Sequence, residues 1–197
     1  MKKTKLIALV VAGSLILGLA GCSAYRGRDR DKDKDRKKTE EEEDEEEGVY
    51  EKDFGTYVIE NEDWVEVEEH SDPPYYFSYC VEGNEDEAMP NNIAVFYDEN
   101  DYSEDEHEDF RDGILASLGA QAQGLEDVTI TSAGTTSAND IIVYRFELQS
   151  SENLTVQWYL VGDEEYVMVS ACIWDEDEAS EDGIMEVAQG IVDSFEW

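Results

Sequence analysis

Few residues in this 197-residue chain have a type and spacing that could do chemistry. The first is Cys22, which directly follows Leu19-Ala20-Gly21. A cysteine thiolate is the strongest side-chain nucleophile for taking up an alkyl group. Small residues at 20 and 21 let extended backbone enter a processing site. Upstream, Lys2, Lys3 and Lys5 precede an apolar run from Leu6 to Leu17. A basic start, a short apolar core and a small-residue cleavage motif form a secretory signal peptide. The run is about 12 residues, short of the roughly 20 that span a bilayer.

The stretch Leu19-Ala20-Gly21-Cys22 resembles a bacterial lipobox. That resemblance implies cleavage before Cys22, a diacylglyceryl group on its sulfur, and an anchor on the outer face of the cell membrane. Two acyl chains exceed the single chain that binds only reversibly. Ser23 after the cysteine would read as an outer-membrane address in a two-membrane cell, and carries no message in a one-membrane cell.

Two further cysteines, Cys80 and Cys172, fall in β-rich runs. An exported domain permits a disulfide between them. The alternative is two buried thiols acting as small hydrophobes. The histidines, His70 and His107, stand in no His-Glu-x-x-His or Cys-x-x-Cys pattern, which argues against zinc. There is no Gly-x-Ser-x-Gly elbow, P-loop or dinucleotide fingerprint. A carboxylate pair could serve a hydrolase, but acids are too abundant for any pair to be nominated. Ca²⁺ is the one cofactor with candidate ligands. Asp98, Asn100 and Asp101 lead a loop continued by Glu104, Asp105 and Glu106, offering hard oxygens. The EF-hand pattern fails, with Tyr102 at position five and Ser103 where glycine is needed. Acids from 104 onward equally suit a helix N-terminus. Tyr75, Tyr76, Phe77 and Tyr79 crowd one run beside Pro73-Pro74. They read either as two-sided core or as an exposed binding face.

Three segments position these groups. Residues 1–21 are the signal peptide. Residues 22–48 are the lipidated cysteine and a charged tether: Arg26 to Lys38 is rich in alternating charges, and Glu40 to Glu47 is an unbroken acidic block. Such composition cannot bury enough apolar surface to offset ordering, so a disordered spacer is expected. Its basic half, next to the lipid, suits anionic head groups. Residues 49–197 are one domain of ordinary size.

The whole chain carries 51 acids against 14 Lys and Arg, a net charge of −37. In residues 49–197 only Lys52, Arg111 and Arg145 are basic. That balance excludes a nucleic-acid partner, which needs a basic footprint. It favours an envelope-protein partner with a cationic patch. Acidity also suits exported proteins in salty or alkaline surroundings.

Within the domain, Thr56 to Ile59 reads as a strand continued by Trp64 to Val67. Tyr75 to Val81 and Asn92 to Tyr97 follow as strands. Ser103 and Glu106 form a capping box before a helix carrying Phe110, Ile114, Leu115 and Leu118, ended by Gly119 to Gly124. Val128 to Ser132 is a short strand. Ile142 to Leu148, Leu154 to Leu160 and Tyr166 to Trp174 form an antiparallel meander, the last strand apolar on both faces. Ile184, Val187, Ala188, Ile191, Val192 and Phe195 mark a final amphipathic helix. The expected class is α+β, an antiparallel sheet layered with two main helices.

The order of strand, Asp63-Trp64, strand, Asn92-Ile93-Ala94-Val95, Tyr102-Ser103, helix, meander and helix closing on Ile191-Val192-Asp193-Ser194-Phe195 resembles the PsbP/DcrB-like lipoprotein superfamily. The likeness covers most of residues 53–197. It implies an adaptor, assembly or ligand-binding subunit rather than an enzyme, and it supplies no catalytic residues to match.

Overall fold

The run Tyr166 to Trp174 sends apolar side chains to both faces of a sheet, so two layers must cover it. A computed structural model shows how; it describes residues 48–197 apart from 87–89, 124–126, 152 and 175–177. The elements in chain order are β1 (Val49–Lys52), β2 (Gly55–Val58), β3 (Trp64–Glu66), β4 (Tyr76–Val81), β5 (Asn92–Glu99), α1 (His107–Ala122), β6 (Thr129–Thr136), β7 (Ile142–Gln149), β8 (Leu154–Val161), β9 (Glu165–Ile173) and α2 (Glu178–Ser194). The main sheet is antiparallel, in the order β3-β4-β5-β9-β8-β7-β6. β1 and β2 form a separate hairpin. This is the α+β architecture the sequence implies, and among the described residues no helix is long and apolar enough to cross a membrane.

α2 and the hairpin cover one face. Ile184, Ala188, Ile191, Val192 and Phe195 pack with Val95, Trp158, Val167 and Val169 in one core. Each fully buried aliphatic or phenyl side chain stabilises the fold by about 1.5–3 kcal/mol. The hairpin is stitched to the segment after α2: Thr56 N–H donates to Glu196 O (2.8 Å) and Glu196 N–H to Thr56 O (2.9 Å). Val58 N–H donates to Ser194 Oγ (2.9 Å).

α1 covers the opposite face with Phe110, Ile114 and Leu118, packed on Tyr144, Phe146, Tyr159, Tyr166 and Met168. The capping box forms as read, with the Glu106 carboxylate accepting from Ser103 N–H (3.3 Å) and Ser103 Oγ–H (3.2 Å). α1 ends at Ala122, inside the stretch Gly119 to Gly124 expected to end it, having passed through Gly119. An isolated glycine costs a helix only about 1 kcal/mol, too little to end one docked on a sheet.

The disulfide expectation is corrected here. Cys80 pairs with Asn92, and Asn92 pairs with Cys172, so β5 lies between the two cysteines. Two strand spacings place them roughly 9.5 Å apart, beyond the 7 Å that a disulfide tolerates. Both are thiols. Cys172 Sγ instead accepts from Asn153 Nδ2 (3.5 Å) and Thr155 Oγ1 (3.7 Å).

Candidate functional site

One end of the sheet gathers side chains from four segments: the start of β4, the end of β5 with its loop, the β8–β9 turn, and the residues after α2. Reciprocal backbone bonds hold the two loops together. Asn100 N–H donates to Glu164 O (2.8 Å), and Glu164 N–H to Tyr102 O (2.9 Å). Gly162 N–H closes the turn onto Glu165 O at 3.0 Å. Between the loops opens a cleft of about 640 Å³, lined by Tyr97, Glu99, Asn100, Asp101, Asp163, Glu164 and Glu165.

The register makes this an electrostatically costly corner. Glu99 lies directly opposite Glu165 on the neighbouring strand, and like charges in that position destabilise a sheet. Glu164 adopts a positive φ of 63°, uncommon for a residue with a side chain. Tyr97 Oη donates to Glu165 Oε2 at 3.0 Å. Burial, reinforced by that bond, pushes the Tyr97 hydroxyl up to about 12. None of the domain's three basic residues supplies an ion pair here. Lys52 pairs with Glu66 at 3.0 Å, Arg111 with Asp112 at 2.8 Å, and Arg145 with Glu147 at 2.5 Å.

Aromatic rings run from the cleft into the core. Tyr75 stacks on Tyr97 (centroids 6.3 Å apart, 11° between planes), and Tyr97 on Phe54 (5.2 Å, 4°). Phe54 stacks on Phe195 at 6.5 Å, and Phe195 meets Trp197 edge-on at 5.0 Å. Tyr75 and Trp197 stand at the outer ends of this ladder, 56% and 45% exposed. A β-carbon on Gly162 would lie 2.8 Å from the Trp197 ring and 2.9 Å from Glu165 Cγ. Only glycine lets the indole seat beside the acidic turn.

The aromatic run of the sequence therefore divides. Phe77 and Tyr79 are core, while Tyr75 is exposed. The calcium candidates do not converge. Asp98 Oδ1 accepts from Glu99 N–H (2.9 Å) and Asn100 Oδ1 from Tyr102 N–H (2.6 Å). Burial holds the Asp98 carboxyl above its ordinary value, against the lowering effect of the Glu99 N–H. Among the described residues, no three His, Cys, Asp or Glu side chains are placed to hold a metal ion. His107 Nδ1 lies 2.8 Å from Tyr144 Oη, and His70 is exposed. The lipidation motif Leu19, Ala20, Gly21 and Cys22 lies outside the described residues. Sequence reasoning missed Asp163, Glu164, Glu165 and Trp197 as partners of the 98–101 loop.

Charge repulsion and calcium binding separate in a melt. Raising NaCl from about 0.05 to 0.5 M shortens the Debye length from roughly 14 to 4 Å, which should raise Tm by about 5 °C. Ca²⁺ and Mg²⁺ at matched ionic strength should agree within about 1 °C, whereas a calcium site would lift only the Ca²⁺ sample.

No protein-family model matches the chain, and no curated protein does. Among solved structures, the solution structure of cyanobacterial PsbP (CyanoP) from Synechocystis sp. PCC 6803 aligns with a TM-score of 0.50 at 12% identity, covering 75% of this chain and 90% of that one. A crystal structure from Bacteroides thetaiotaomicron aligns at a TM-score of 0.35 and 10% identity, over 72% of this chain and 44% of that one. The domain has a PsbP-like fold.

Proposed function

We propose that the chain is a membrane-anchored extracytoplasmic lipoprotein whose folded domain is a non-enzymatic binding or adaptor module. Leu19-Ala20-Gly21-Cys22 after a basic and apolar leader supports the anchor. The single observation that carries the binding role is the open cleft at the end of the sheet, lined by carboxylates and by Tyr97, on which the exposed Tyr75 stacks. Charged residues 23–48 separate this domain from the lipid, at up to about 3.5 Å per residue, and so let it reach a neighbour in the envelope. The PsbP-like fold agrees with an accessory subunit.

In-cell crosslinking of the full chain followed by mass spectrometry tests this reading, with Cys22→Ala as the unanchored control. The wild type should fractionate with membranes and capture a reproducible envelope protein. Cys22→Ala should leave the membrane fraction and lose that capture. A variant that stays on membranes defeats the anchor; a wild type that captures nothing defeats the adaptor.

A further inference from the structure

We propose that β6 is a pairing edge for a second copy of this chain, the two β6 strands meeting antiparallel and joining two sheets into one. This goes beyond the adaptor reading and does not involve the cleft.

The two edges of the main sheet are built differently. β3 ends it on one side with three residues, one of them Glu66, and the acids Glu68 and Glu69 follow. Short length and charge are how proteins blunt an edge against another chain. β6 ends it on the other side with eight residues, paired to β7 position by position without a bulge. Among the described residues only β7 pairs with it, so its outer side presents a row of backbone donors and acceptors. Every residue of β6 is exposed except Ile130, which is half-buried. The strand holds no proline, and residues 128–139 carry no charge. In a chain with 51 acids, a bare edge of this length is an exception. On β7 beside it, Arg145 and Glu147 pair with each other, and Thr131 Oγ1 donates to Glu147 Oε2 at 3.2 Å.

A row of backbone groups is satisfied by an extended strand rather than a small molecule. Charge selects the strand. Two copies of this domain repel wherever their acids face each other, and along β6 none do. A basic segment would be drawn to the acidic surface elsewhere. Symmetry makes the strand complementary to itself. A two-fold axis normal to the sheet, passing through Ser132 or Ala133, lays two β6 strands antiparallel and keeps each residue on its own face. Ser132, Ala133 and Gly134 are small, so the strands can close at the axis. About Ser132, Thr129 meets Thr135; about Ala133, Thr131 meets Thr135. Threonine pairs of this kind stabilise a sheet. Eight residues a side fall short of the roughly 20–30 of a stable interface. The pair is therefore weak in free solution and favoured between copies tethered to one surface.

The test is disulfide crosslinking of the full-length chain carrying Ser132→Cys or Ala133→Cys, in membranes of the expressing cells and as concentrated purified protein. The residue on the axis faces its own copy at a Cα separation of about 4.5–5.5 Å, which a disulfide tolerates. One of the two variants should give about fivefold more dimer than Ala120→Cys, an exposed position on α1. Adding Thr131→Asp with Thr135→Asp should cut that yield about tenfold, by setting like charges across the pair. Asn61→Asp with His70→Asp, an equal charge change at exposed positions beside the opposite edge, should leave it within about twofold. Added salt should raise the yield, because screening relieves repulsion between acidic copies. Yields no higher than that of Ala120→Cys for both cysteine variants overturn the proposal. So do equal yields from the two double variants, which would mean chance collision. A product that is not twice the chain's mass would put another protein's strand on the edge and overturn the second copy. A chain that does not fractionate with membranes defeats the anchor, and the purified protein then decides the pairing. A wild type that captures no envelope protein defeats the adaptor and leaves a β6 dimer standing.

Discussion

Above pH 10 the domain should unfold in a steep, cooperative transition driven by four buried tyrosines. Tyr57, Tyr79, Tyr159 and Tyr166 are each 2% exposed or less. Burial raises the hydroxyl of every one of them above its ordinary value. Tyr57 and Tyr79 also share a hydrogen bond, Oη to Oη at 2.5 Å, so they titrate as a pair. The unfolded chain releases these protons near pH 10, while the folded chain retains them. Stability from the four groups is therefore complete below about pH 10 and falls as pH rises above it. Each contributes a slope of about 1.4 kcal/mol per pH unit, and four give about 5 kcal/mol per unit. A domain with roughly 5–15 kcal/mol of stability would then be lost within about one to three units. Circular dichroism and tyrosinate absorbance should change together. Tyr166→Phe should reduce the steepness by about one proton. Tyrosinate absorbance rising fully while the fold persists would show that these hydroxyls are not held neutral by burial.

Those tyrosines also show what was legible. β7 and β8 were readable because period two survives in Tyr144, Phe146 and Leu148 and in Val156, Trp158 and Leu160. α2 was readable because its apolar stripe is continuous. Sheet membership was not. The turn at Asn61 to Asp63 is real, with Asn61 Oδ1 accepting from Asp63 N–H at 3.0 Å. Yet β2 pairs with β1 off the main sheet, while β3 pairs with β4 inside it. Nothing local records that change of partner. β6 runs four residues beyond the expected Ser132, because pairing with β7 carries Ala133 to Thr136 although their side chains show no pattern. The cysteines failed as a pair for the same reason: strand order, which local sequence does not encode, puts β5 between them.

The cleft was half legible. The 98–101 loop stood out by composition, and Tyr75 by its neighbours. Their joining to Asp163, Glu164, Glu165 and Trp197 is a product of topology: β5 and β9 are adjacent in space and more than sixty residues apart in sequence. In a chain with 51 acids, a turn of three more carries no signal by itself. What singles it out is placement against another acidic loop.

The largest effect of a single methyl group is expected at Gly55. Its φ is +148°, a region that disfavours any side chain. A β-carbon there would collide with the backbone carbonyl oxygen of Glu196 and lie 2.7 Å from Phe195 Cζ. Neither neighbour yields cheaply. The Glu196 carbonyl accepts Thr56 N–H in the bridge that fastens the hairpin, and Phe195 is fully buried. Gly55→Ala should therefore cost about 2–4 kcal/mol, from backbone strain of roughly 1–3 kcal/mol plus displaced packing. The damage should reach the cleft. Phe54 is the adjacent residue and the ring on which Tyr97 stacks. If the hairpin lifts, Tyr97 loses its backing and Tyr75 loses its own support in turn. In urea, Gly55→Ala should lower the midpoint with little change in slope. Gly83→Ala gives the comparison, since Gly83 also has a positive φ, +93°, but a β-carbon there meets nothing within 4 Å. It should show the strain cost alone. Equal destabilisation by the two variants would remove the hairpin from the cleft's support. A larger loss at Gly55 would establish that the second, smaller sheet braces the stacked rings behind the cleft.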